Sequence, residues 1–352
     1  MSDKIELIGL SREELQQHLQ NLGEPAFRAK QIWQWVYFYG KTDFNEMTNL
    51  SKPLREKLSS AFELSRPKIV TEQISVDKTH KWLLEFSDGQ RVEMVYIPEE
   101  DRGAVCISTQ VGCAMGCKFC HTGSQKLTRN LTAGEIVSQF MVARDVYKEW
   151  NLKEQARMLS NIVVMGMGEP FQNYENLARA VKIISDGEGI ALSKRRITVS
   201  TSGIVPHIPN FDMEIGTRLA VSLHASNNEL RSQIMPINKK YPLPDLMAAC
   251  RKYQDNNGGY ITFEYLMLNN FNDTYAHAAE LVAMMKNYGI HAKFNLIAFN
   301  PWPGCDFQPS SNNRIHAFSE ELQKHGFAAP IRTARGQDIL AACGQLKSKK
   351  QA

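Results

Sequence analysis

Three cysteines lie close together in the stretch GCAMGCKFCHTG, where three residues separate Cys113 from Cys117 and two separate Cys117 from Cys120. Thiolates this near in sequence can ligate three corners of an iron–sulfur cube and leave the fourth iron without a protein ligand. An iron with an open position can bind a small molecule and pass an electron to it. The spacing therefore predicts radical chemistry at this loop rather than electron storage alone.

Two other sites that use clustered cysteines need ligands that the sequence does not place nearby. A structural zinc site takes four ligands, commonly in two pairs, and no second pair follows Cys120. His121 is adjacent to Cys120 and would point elsewhere on an extended loop. A ferredoxin uses a fourth cysteine for each cluster, and the other cysteines are isolated. A distant fourth ligand stays possible, but the spacing favours a three-cysteine cluster.

The composition is that of an ordinary globular protein. The 352 residues are 43% hydrophobic and 22% charged, which suits one large domain plus a small one, or two moderate ones. The net charge is +4, with basic clusters at 194–196, at 239–240 and at Lys347, Lys349 and Lys350. These clusters would suit an anionic partner but are equally typical of a solvated surface.

The location of the protein is predicted from three further features. No apolar run of about 18 residues indicates a membrane span. The first residues lack the apolar core of a secretory signal. The number of cysteines, seven, is odd, which argues against a disulfide framework. We therefore expect a reduced, cytoplasmic location.

The chain is predicted to begin with helices and then to turn to β structure. Residues 11–62 carry three helical patterns, the first opened by a capping signature at Ser11–Glu14. The β-rich runs KIVTEQIS, HKWLLEFSDG and QRVEMVYIP follow, and Asp88–Gly89 between the last two is a hairpin turn signal. We expect a helical module at 1–65 and a β-hairpin linker region at 66–100.

From residue 104 onward, strand patterns alternate with helical patterns, and Thr132 and Glu135 are predicted to open the first of these helices. Six strands are predicted in AVCIS, NIVVMG, RITVSTSG, RLAVSLHA, YITFEYLML and KFNLIAFN. Such repeats predict parallel strands with helical crossovers, and a barrel and a doubly wound sheet satisfy the pattern equally. In either α/β fold the site lies at the carboxyl ends of the strands, and the cysteine loop follows the first of them. We assign residues 101–352 to this core.

Further motifs stand at the ends of the later strands. MGMGEP at 165–170 ends the second strand, STSG at 200–203 the third and SLHA at 222–225 the fourth, while NPWPG at 300–304 follows the sixth. Gly166 and Gly168 would let the backbone approach a ligand, and Glu169 offers an acceptor for an ammonium group. All four motifs are predicted to line one mouth of the fold.

The cysteine loop, with Phe119 between its last two cysteines, resembles that of the radical S-adenosylmethionine (SAM) superfamily. The strand-end motifs and the tail AACGQL around Cys343 resemble the RlmN family of dual-specificity RNA adenine methyltransferases, over essentially the whole chain. The resemblance implies a partial (β/α)6 barrel with an N-terminal helical accessory domain and a β-hairpin. It also implies a [4Fe-4S] cluster on Cys113, Cys117 and Cys120, where an electron cleaves SAM to a 5′-deoxyadenosyl radical.

The resemblance further implies which residues bind SAM and which react. The SAM-binding residues would be Gly168, Glu169, Ser200, Ser222, Leu223, His224 and Asn300. Cys343 would take a methyl group from a first SAM, and the radical from a second would remove a hydrogen atom from that S-methyl group. The carbon radical would add to carbon 2 of adenine, and Glu93 would accept the carbon 2 proton. Cys106 would then attack the sulfur of Cys343, which releases the methylated base and leaves a transient disulfide.

The family's substrates are the peptidyl-transferase adenosine of 23S rRNA and the tRNA adenosine just 3′ of the anticodon. RNA contact is expected from the N-terminal helices, which mix basic and aromatic residues: Arg28, Lys30, Trp33, Trp35 and Arg55. The same mixture is typical of a packed helical unit with its tryptophans inside. We expect a monomer without membrane contact that receives electrons from a donor such as flavodoxin or ferredoxin.

Two alternatives stay open. A Cfr-type enzyme, which methylates carbon 8 of the ribosomal adenine, shares the cluster and both working cysteines; MGMGEP and the tail RTARGQDILAACGQL favour the RlmN family instead. A non-catalytic iron–sulfur or zinc RNA-binding protein is the alternative of another class. On sequence alone Cys343 and Cys106 would also suit buried structural thiols. Cys250 and Cys305 match no family role and are predicted to be structural.

Overall fold

The computed structural model describes residues 4–100, 102–151 and 157–348, and Lys349 and Lys350 of the basic tail lie outside them. The described strands are β1 (Ile5–Glu6), β2 (Phe62–Glu63), β3 (Lys68–Ile74), β4 (His80–Glu85), β5 (Arg91–Pro98), β6 (Gly103–Cys106), β7 (Gln110–Val111), β8 (Arg129–Asn130), β9 (Asn161–Val164), β10 (Ile197–Thr201), β11 (Arg218–Ser222), β12 (Ile261–Met267), β13 (Ala292–Ala298) and β14 (Ile331–Arg332). The described α-helices are α1 (Arg12–Asn21), α2 (Arg28–Trp33), α3 (Lys52–Ala61), α4 (Ala133–Tyr147), α5 (Tyr174–Ser185), α6 (Phe211–Glu214), α7 (Asn228–Ile234), α8 (Leu243–Asn257), α9 (Tyr275–Tyr288) and α10 (Asn312–Lys324).

Most of the strands form one open sheet in the order β14-β13-β12-β11-β10-β9-β6-β5-β4-β3. From β6 to β14 all neighbours are parallel, and the order in the sheet follows the order in the chain. Right-handed crossovers that always step in one direction place their helices on one face and curl the sheet, whereas a doubly wound sheet reverses its order. The predicted partial barrel is confirmed: it contains the six predicted strands, and the short β14 adds another.

The predicted starts of two helices are confirmed by their caps. Ser11 Oγ accepts a hydrogen bond from Glu14 N at 3.1 Å, and Glu14 Oε2 accepts one from Ser11 N at 2.7 Å. Thr132 and Glu135 form the same reciprocal pair at the start of α4. Each capping box satisfies backbone N–H groups that the first turn of a helix leaves without partners. In α4 it starts the crossover helix that leads away from the cysteine loop.

The strands of the predicted hairpin region extend the barrel sheet. β3, β4 and β5 are antiparallel, and β5 pairs with β6 so that Val95 lies opposite Cys106. The β4–β5 turn falls at the predicted Asp88–Gly89, where Gly89 has a φ of +76° and Asp88 Oδ1 accepts from Gln90 N at 3.0 Å. This pairing brings residues 66–100 directly beside the first strand of the core.

The strand register places the candidate polar residues on one face of the sheet. Side chains alternate along a strand and directly paired residues face the same way, so Glu93 shares a face with Val95 and Cys106. We call this face the inner face. The strand pairing places on it the side chains of Lys81, Ser200, Ser222, Glu264, Asn295 and Arg332. Predicted site residues from four different strands therefore point the same way.

The N-terminal helices dock against α4 and α5 of the core. The backbone before α1 passes so close to α4 that a Cβ atom on Gly134 would lie 2.0 Å from the carbonyl oxygen of Ile8. Beside this contact, Arg12 forms ion pairs with Asp186 at 2.6 Å and with Glu188 at 2.5 Å. The module is thus held by close backbone packing and by charge.

The residues expected to contact RNA are distributed unevenly over this module. Trp33 is buried in the hydrophobic core, and Trp35 is partly buried and donates to Asn49 Oδ1 at 2.6 Å. Lys30 is exposed and lies 2.5 Å from a Glu188 carboxylate oxygen. The tryptophans therefore serve packing first, and the exposed part of the set is basic. Among the described residues, no helix combines the length and apolar character that crossing a membrane requires.

We predict that Gly134→Ala lowers the free energy of unfolding by about 1–3 kcal/mol, as overpacking does. Alanine favours a helix over glycine by about 1 kcal/mol, but the added Cβ would overlap the Ile8 carbonyl. The measurement is denaturant unfolding of the two proteins. Gly187→Ala is the matched control, because a Cβ there has no atom within 4 Å and should change stability by about 0.5 kcal/mol or less. Equal stability of Gly134→Ala and the wild type would contradict the predicted clash.

Candidate active site

The cysteine loop is held on two sides by backbone hydrogen bonds. On one side Lys118 N donates to the carbonyl oxygen of Ile234, the last residue of α7, at 3.0 Å. On the other side His121 N donates to the carbonyl oxygen of Gly344 in the C-terminal tail at 2.7 Å. The loop therefore lies between the strand-end helix α7 and the segment that carries Cys343.

The three thiols of this loop lie in a low-polarity environment and close to one another. Burial raises the pKa of Cys113 to about 12, and the neighbouring charge of Cys120 adds to this shift. Burial likewise raises the pKa of Cys117 well above its usual range, with further contributions from Cys120 and Cys113, and it also raises the pKa of Cys120. Without a bound cation all three would stay protonated at neutral pH, whereas metal binding displaces thiol protons.

This donor set fits an iron–sulfur cube. Cys117 and Cys120 pack against an apolar cluster formed by Phe119, Ile234, Met235, Leu266, Leu268 and Phe299. In the described part of the chain, no three His, Cys, Asp or Glu side chains are arranged to hold a single metal ion. A cube requires no such convergence, because its three thiolates bind three separate iron atoms. His121 is engaged elsewhere, since its ring stacks on Trp302 with centroids 4.5 Å apart.

Cys343 is exposed to solvent, yet protein surrounds it closely enough that burial raises the pKa of its thiol. A side chain at the floor of an open cleft has this combination of properties. The negative charge of Glu264 adds to the shift, Arg332 opposes it, and Cys120 contributes from the cluster loop. The charges that act on the thiol of Cys343 thus come both from the inner face of the sheet and from the cysteine loop.

The tail that carries Cys343 is fastened to the rim of the barrel. Thr122 Oγ1 donates to the Leu346 carbonyl oxygen at 2.6 Å, and Gln345 Nε2 donates to the Pro301 carbonyl oxygen at 2.7 Å. Lys347 N donates to the carboxylate of Glu93 at 2.8 Å. These three bonds, all on the C-terminal side of Cys343, hold the tail against the rim of the barrel and leave Cys343 exposed.

Cys106 and Cys343 are brought together, although 236 positions separate them along the chain. Cys106 is buried at the end of β6; burial raises the pKa of its thiol to about 12, and the charge of Cys343 raises it further. All seven cysteines are free thiols, so the structure gives no support for a standing disulfide. The predicted Cys106–Cys343 disulfide is left as a transient species.

Glu93 is a buried carboxylate, and each of its two oxygens has a partner. Lys81 Nζ lies 3.2 Å from Glu93 Oε1, and the backbone N–H of Lys347 donates to Oε2. Lys81 Nζ also donates to the carbonyl oxygen of Leu340 at 3.3 Å, which links the carboxylate to the segment that precedes Cys343. Sequence reasoning missed Lys81, because a lysine in a strand carries no signal without the register that places it beside Glu93.

The MGMGEP motif is shaped by packing as well as by any ligand. Gly168 has a φ of +100°, and a Cβ atom there would lie 2.5 Å from Cβ of Gln110. Glu169 is buried, and its carboxylate accepts from Ser202 N at 2.7 Å and Thr201 Oγ1 at 2.8 Å. Burial raises the pKa of Glu169 and these hydrogen bonds oppose the rise. The glycine is thus required by the neighbouring loop, a reason that the sequence prediction did not include.

The predicted strand-end residues Ser200, Ser222 and Leu223 lie where their motifs suggested. Ser200 is the next-to-last residue of β10 and Ser222 is the last residue of β11, and both lie on the inner face. Leu223 is buried and its backbone N–H donates to the Glu264 carbonyl oxygen at 3.0 Å. The side chain of Leu223 is thus an apolar wall element, and the two serines are the polar groups of this set.

His224 has a strained backbone and a fixed tautomer. Its φ is +56°, a region that costs a non-glycine residue energy and is often found at functional sites. Leu266 N donates to His224 Nδ1 at 3.1 Å, and burial lowers the pKa of the ring to about 3. The imidazole is therefore neutral with its proton on Nε2, and its ring meets that of Phe119 edge-on at 4.7 Å.

Asn300 directly contacts the loop that carries Cys343. Its Nδ2 donates to the Cys343 carbonyl oxygen at 3.5 Å, and its Oδ1 accepts from Gln337 Nε2 at 2.8 Å. Asn300 thus supports the Cys343 loop in this structure. Glu264, which sequence reasoning also missed, is buried beside Cys343 and accepts from Asn295 Nδ2 at 2.8 Å. Its signal was a carboxylate inside an otherwise apolar strand.

Comparison with known proteins defines the class first. Residues 107–282 match the profile of the radical SAM superfamily, and residues 5–64 match that of the ribosomal RNA large subunit methyltransferase N-terminal domain. A crystal structure of a radical SAM methyltransferase from Sphaerobacter thermophilus is 45% identical, with a TM-score of 0.91 over 97% of this chain and 99% of that one. The chain belongs to the radical SAM superfamily.

Two curated relatives narrow the assignment. A protein of Gluconobacter oxydans named dual-specificity RNA methyltransferase RlmN is 57% identical over 98% of this chain and 86% of its own length. A protein of the same name from Rhodospirillum rubrum is 56% identical over 98% of this chain and 80% of its own. The chain is a member of the RlmN family, as its motifs indicated.

We predict that iodoacetamide modifies Cys343 at least about tenfold faster than Cys106 in the folded protein, since thiol reactivity follows exposure and thiolate fraction. Cys343 is exposed, whereas Cys106 is buried and burial raises its pKa to about 12. Peptide mass spectrometry after timed labelling at pH 8 gives both rates. Cys250, which is fully buried, is the internal control and should react slowest. Labelling of Cys106 as fast as Cys343 would contradict the described positions.

Proposed function

We propose that the protein methylates carbon 2 of adenosine in 23S rRNA, at the peptidyl-transferase centre, and in tRNA, just 3′ of the anticodon. The relatives named dual-specificity RNA methyltransferase RlmN support this reaction. One observation carries it in the chain itself: the tail that bears Cys343 is hydrogen-bonded to the cysteine loop, where His121 N donates to the Gly344 carbonyl oxygen at 2.7 Å, and to Glu93, on the sheet face that Cys106 shares. A methyl-carrying thiol, a releasing thiol and the cluster loop would thus share one site.

Residues already described would bind the two cofactors. Cys113, Cys117 and Cys120 would hold a [4Fe-4S] cluster, and Gly168, Glu169, Ser200, Ser222, Leu223, His224 and Asn300 line the region proposed for SAM. The buried acceptor Glu169 suits the ammonium group of SAM, and the neutral His224 offers one N–H donor. Bound together, cluster and SAM would supply a carbon-centred radical.

Carbon 2 of adenine explains why a radical is needed. It is an aromatic carbon with a non-acidic hydrogen and no lone pair, so it cannot attack an electrophilic methyl group. Addition of a carbon radical to this position avoids the need for a nucleophile. An exposed thiol that carries a methyl group at the barrel mouth, as Cys343 would, presents the carbon that has to be delivered.

The proposed steps assign one role to each reactive side chain. Cys343 would accept a methyl group by displacement, and because a second SAM supplies the radical, two are used per turnover. Glu93 would accept the carbon 2 proton, and its ion pair with Lys81 would hold the carboxylate in place. Loss of this proton leaves one electron in excess on the adduct, which the oxidised cluster would take back. Cys106 would then form a sulfur–sulfur bond with Cys343 as the bond between Cys343 and the product carbon breaks, and that carbon would take up the Cys106 thiol proton. A reductant must then restore both thiols.

The proposed partners follow from the same chemistry. The target adenine has to be unpaired or flipped, because a duplex hides carbon 2. The exposed basic residues of the N-terminal module, such as Lys30, are the proposed RNA contacts there. We further propose a cytoplasmic monomer that receives electrons from a donor such as flavodoxin or ferredoxin.

We predict that the anaerobically reconstituted, reduced protein converts adenosine in unmodified 23S rRNA and tRNA to 2-methyladenosine, measured by mass spectrometry of the digested RNA. Cys120→Ala should lose cluster iron and all product, because it removes one cluster ligand. Cys250→Ala is the matched control and should keep both, since Cys250 is buried on α8.

Three outcomes decide between this proposal and its alternatives. Formation of 2-methyladenosine supports it. Formation of 8-methyladenosine would show the Cfr-type reaction instead. A colourless protein with stoichiometric zinc and no product would favour a non-catalytic RNA-binding protein.

We predict that Cys106→Ala accumulates a covalent protein–RNA adduct, because the thiol that releases the product is missing. The adduct is visible as an RNA-dependent shift of the protein on a denaturing gel. The double variant Cys106→Ala, Cys343→Ala is the control and should form none. Free methylated RNA at normal yield from Cys106→Ala would remove Cys106 from the mechanism.

A further inference from the structure

Arg231, on α7, is a buried cation that none of the proposed steps uses. Its side chain is fully buried, and its guanidinium donates to three carbonyl oxygens where β10 and β11 end: Ser202 at 2.7 Å, Ser222 at 3.0 Å and Leu223 at 3.1 Å. A fourth bond goes to Asn238 Oδ1 at 3.0 Å. All four acceptors are neutral oxygens, so none of them balances the positive charge.

The ionisable groups whose charges act on this guanidinium are the thiols of Cys117 and Cys250, and burial raises the pKa of Cys250 so that it stays protonated. Burial lowers the pKa of Arg231 to about 10, and the charges of Cys117 and Cys250 oppose that shift. In return, the Arg231 charge lowers the pKa of Cys117, against the effect of burial. A buried cation is costly unless an anion compensates it. The anion beside Arg231 is therefore expected at the cluster loop.

The packing around Arg231 keeps it in one position relative to that loop. A Cβ atom on Gly203 would lie 3.2 Å from Arg231 Nη2, so the guanidinium fills its space tightly. One turn later on the same helix, the carbonyl oxygen of Ile234 accepts from Lys118 N, between two cluster cysteines. The ends of β10 and β11, the guanidinium and the cysteine loop thus form one connected unit.

We propose that Arg231 is a charge-compensating residue of the iron–sulfur cluster, which favours the reduced state while it joins the SAM-binding strand ends to the cysteine loop. Three thiolates on an oxidised [4Fe-4S] core leave a net charge of about −1, and one electron from the donor makes it about −2 with no proton moved. A fixed positive charge nearby stabilises the more negative state more. The inference rests on the cluster of the proposed function and not on its RNA substrate.

The test is a potentiometric titration of the reconstituted protein, followed by electron paramagnetic resonance without SAM or RNA. Arg231→Gln removes the charge and keeps hydrogen-bond donors. We expect its reduced-to-oxidised ratio at a fixed potential to fall by about tenfold, which is a midpoint about 59 mV lower for one electron. Arg231→Lys keeps the charge and should stay within about a third of that shift.

Arg144→Gln is the matched control. Arg144 is also a buried arginine whose pKa burial lowers to about 10, and it donates to the Glu149 carbonyl oxygen at 2.6 Å near the far end of α4. Its loss should leave the midpoint unchanged. Equal shifts in Arg231→Gln and Arg231→Lys would overturn the proposal, because the effect would then be structural.

Two more results would count against the proposed role of Arg231. An unchanged midpoint in a folded, iron-loaded Arg231→Gln would overturn the proposal. Failure of Arg231→Gln to fold, with Arg144→Gln folding normally, would do so too, because it would make Arg231 a structural residue. Iron and sulfide analysis of the wild type separates this inference from the proposed function: absent iron refutes the function, whereas a loaded cluster with an unshifted midpoint refutes the inference alone.

Discussion

The position of the Cys343 sulfur is the constraint on which the rest of the site depends. In the proposed reaction, one thiol has to be reachable from the cluster loop, from Cys106 and from the open side where RNA would bind. The tail achieves this through bonds to three separate parts of the barrel: His121 N to the Gly344 carbonyl oxygen, Gln345 Nε2 to the Pro301 carbonyl oxygen, and Lys347 N to Glu93. These bonds hold the chain just after Cys343, and Asn300 donates to the carbonyl oxygen of Cys343 itself. The thiol is therefore exposed on a well-supported segment.

The register of the sheet is the second requirement, because it decides which residues the tail can meet. Glu93 and Cys106 share the inner face only while Val95 lies opposite Cys106. A slip of one residue between β5 and β6 would turn Glu93 to the opposite face. The ion pair with Lys81 depends on the same register one strand further out. The strands that the sequence predicted as a linker region therefore contribute to the candidate site, since they supply the carboxylate of Glu93 and its partner Lys81.

Short sequence patterns predicted those parts of the fold that depend on residues close together in the chain. The capping boxes at Ser11 and Thr132, the Asp88–Gly89 turn and the six core strands all depend on residues within a few positions of one another. The proximity of Cys106 and Cys343 does not, and only the resemblance to a family paired them. Arg231 shows the limit clearly: a single arginine in a helical pattern is normally an exposed residue, and only the tertiary structure buries it beneath two strand ends.

Whether a fourth cysteine could close the cluster turns on Cys305, which packs against the same apolar cluster as Cys117 and Cys120. Its Sγ donates to the Lys118 carbonyl oxygen at 3.8 Å, and Trp302 Nε1 donates to that of Phe119 at 2.9 Å. The segment that carries Cys305 therefore binds the backbone of the cysteine loop, and its thiol already has a partner there. We therefore expect Cys305 to support the loop of the three proposed cluster cysteines, so that the fourth iron of the proposed cluster would be left to SAM.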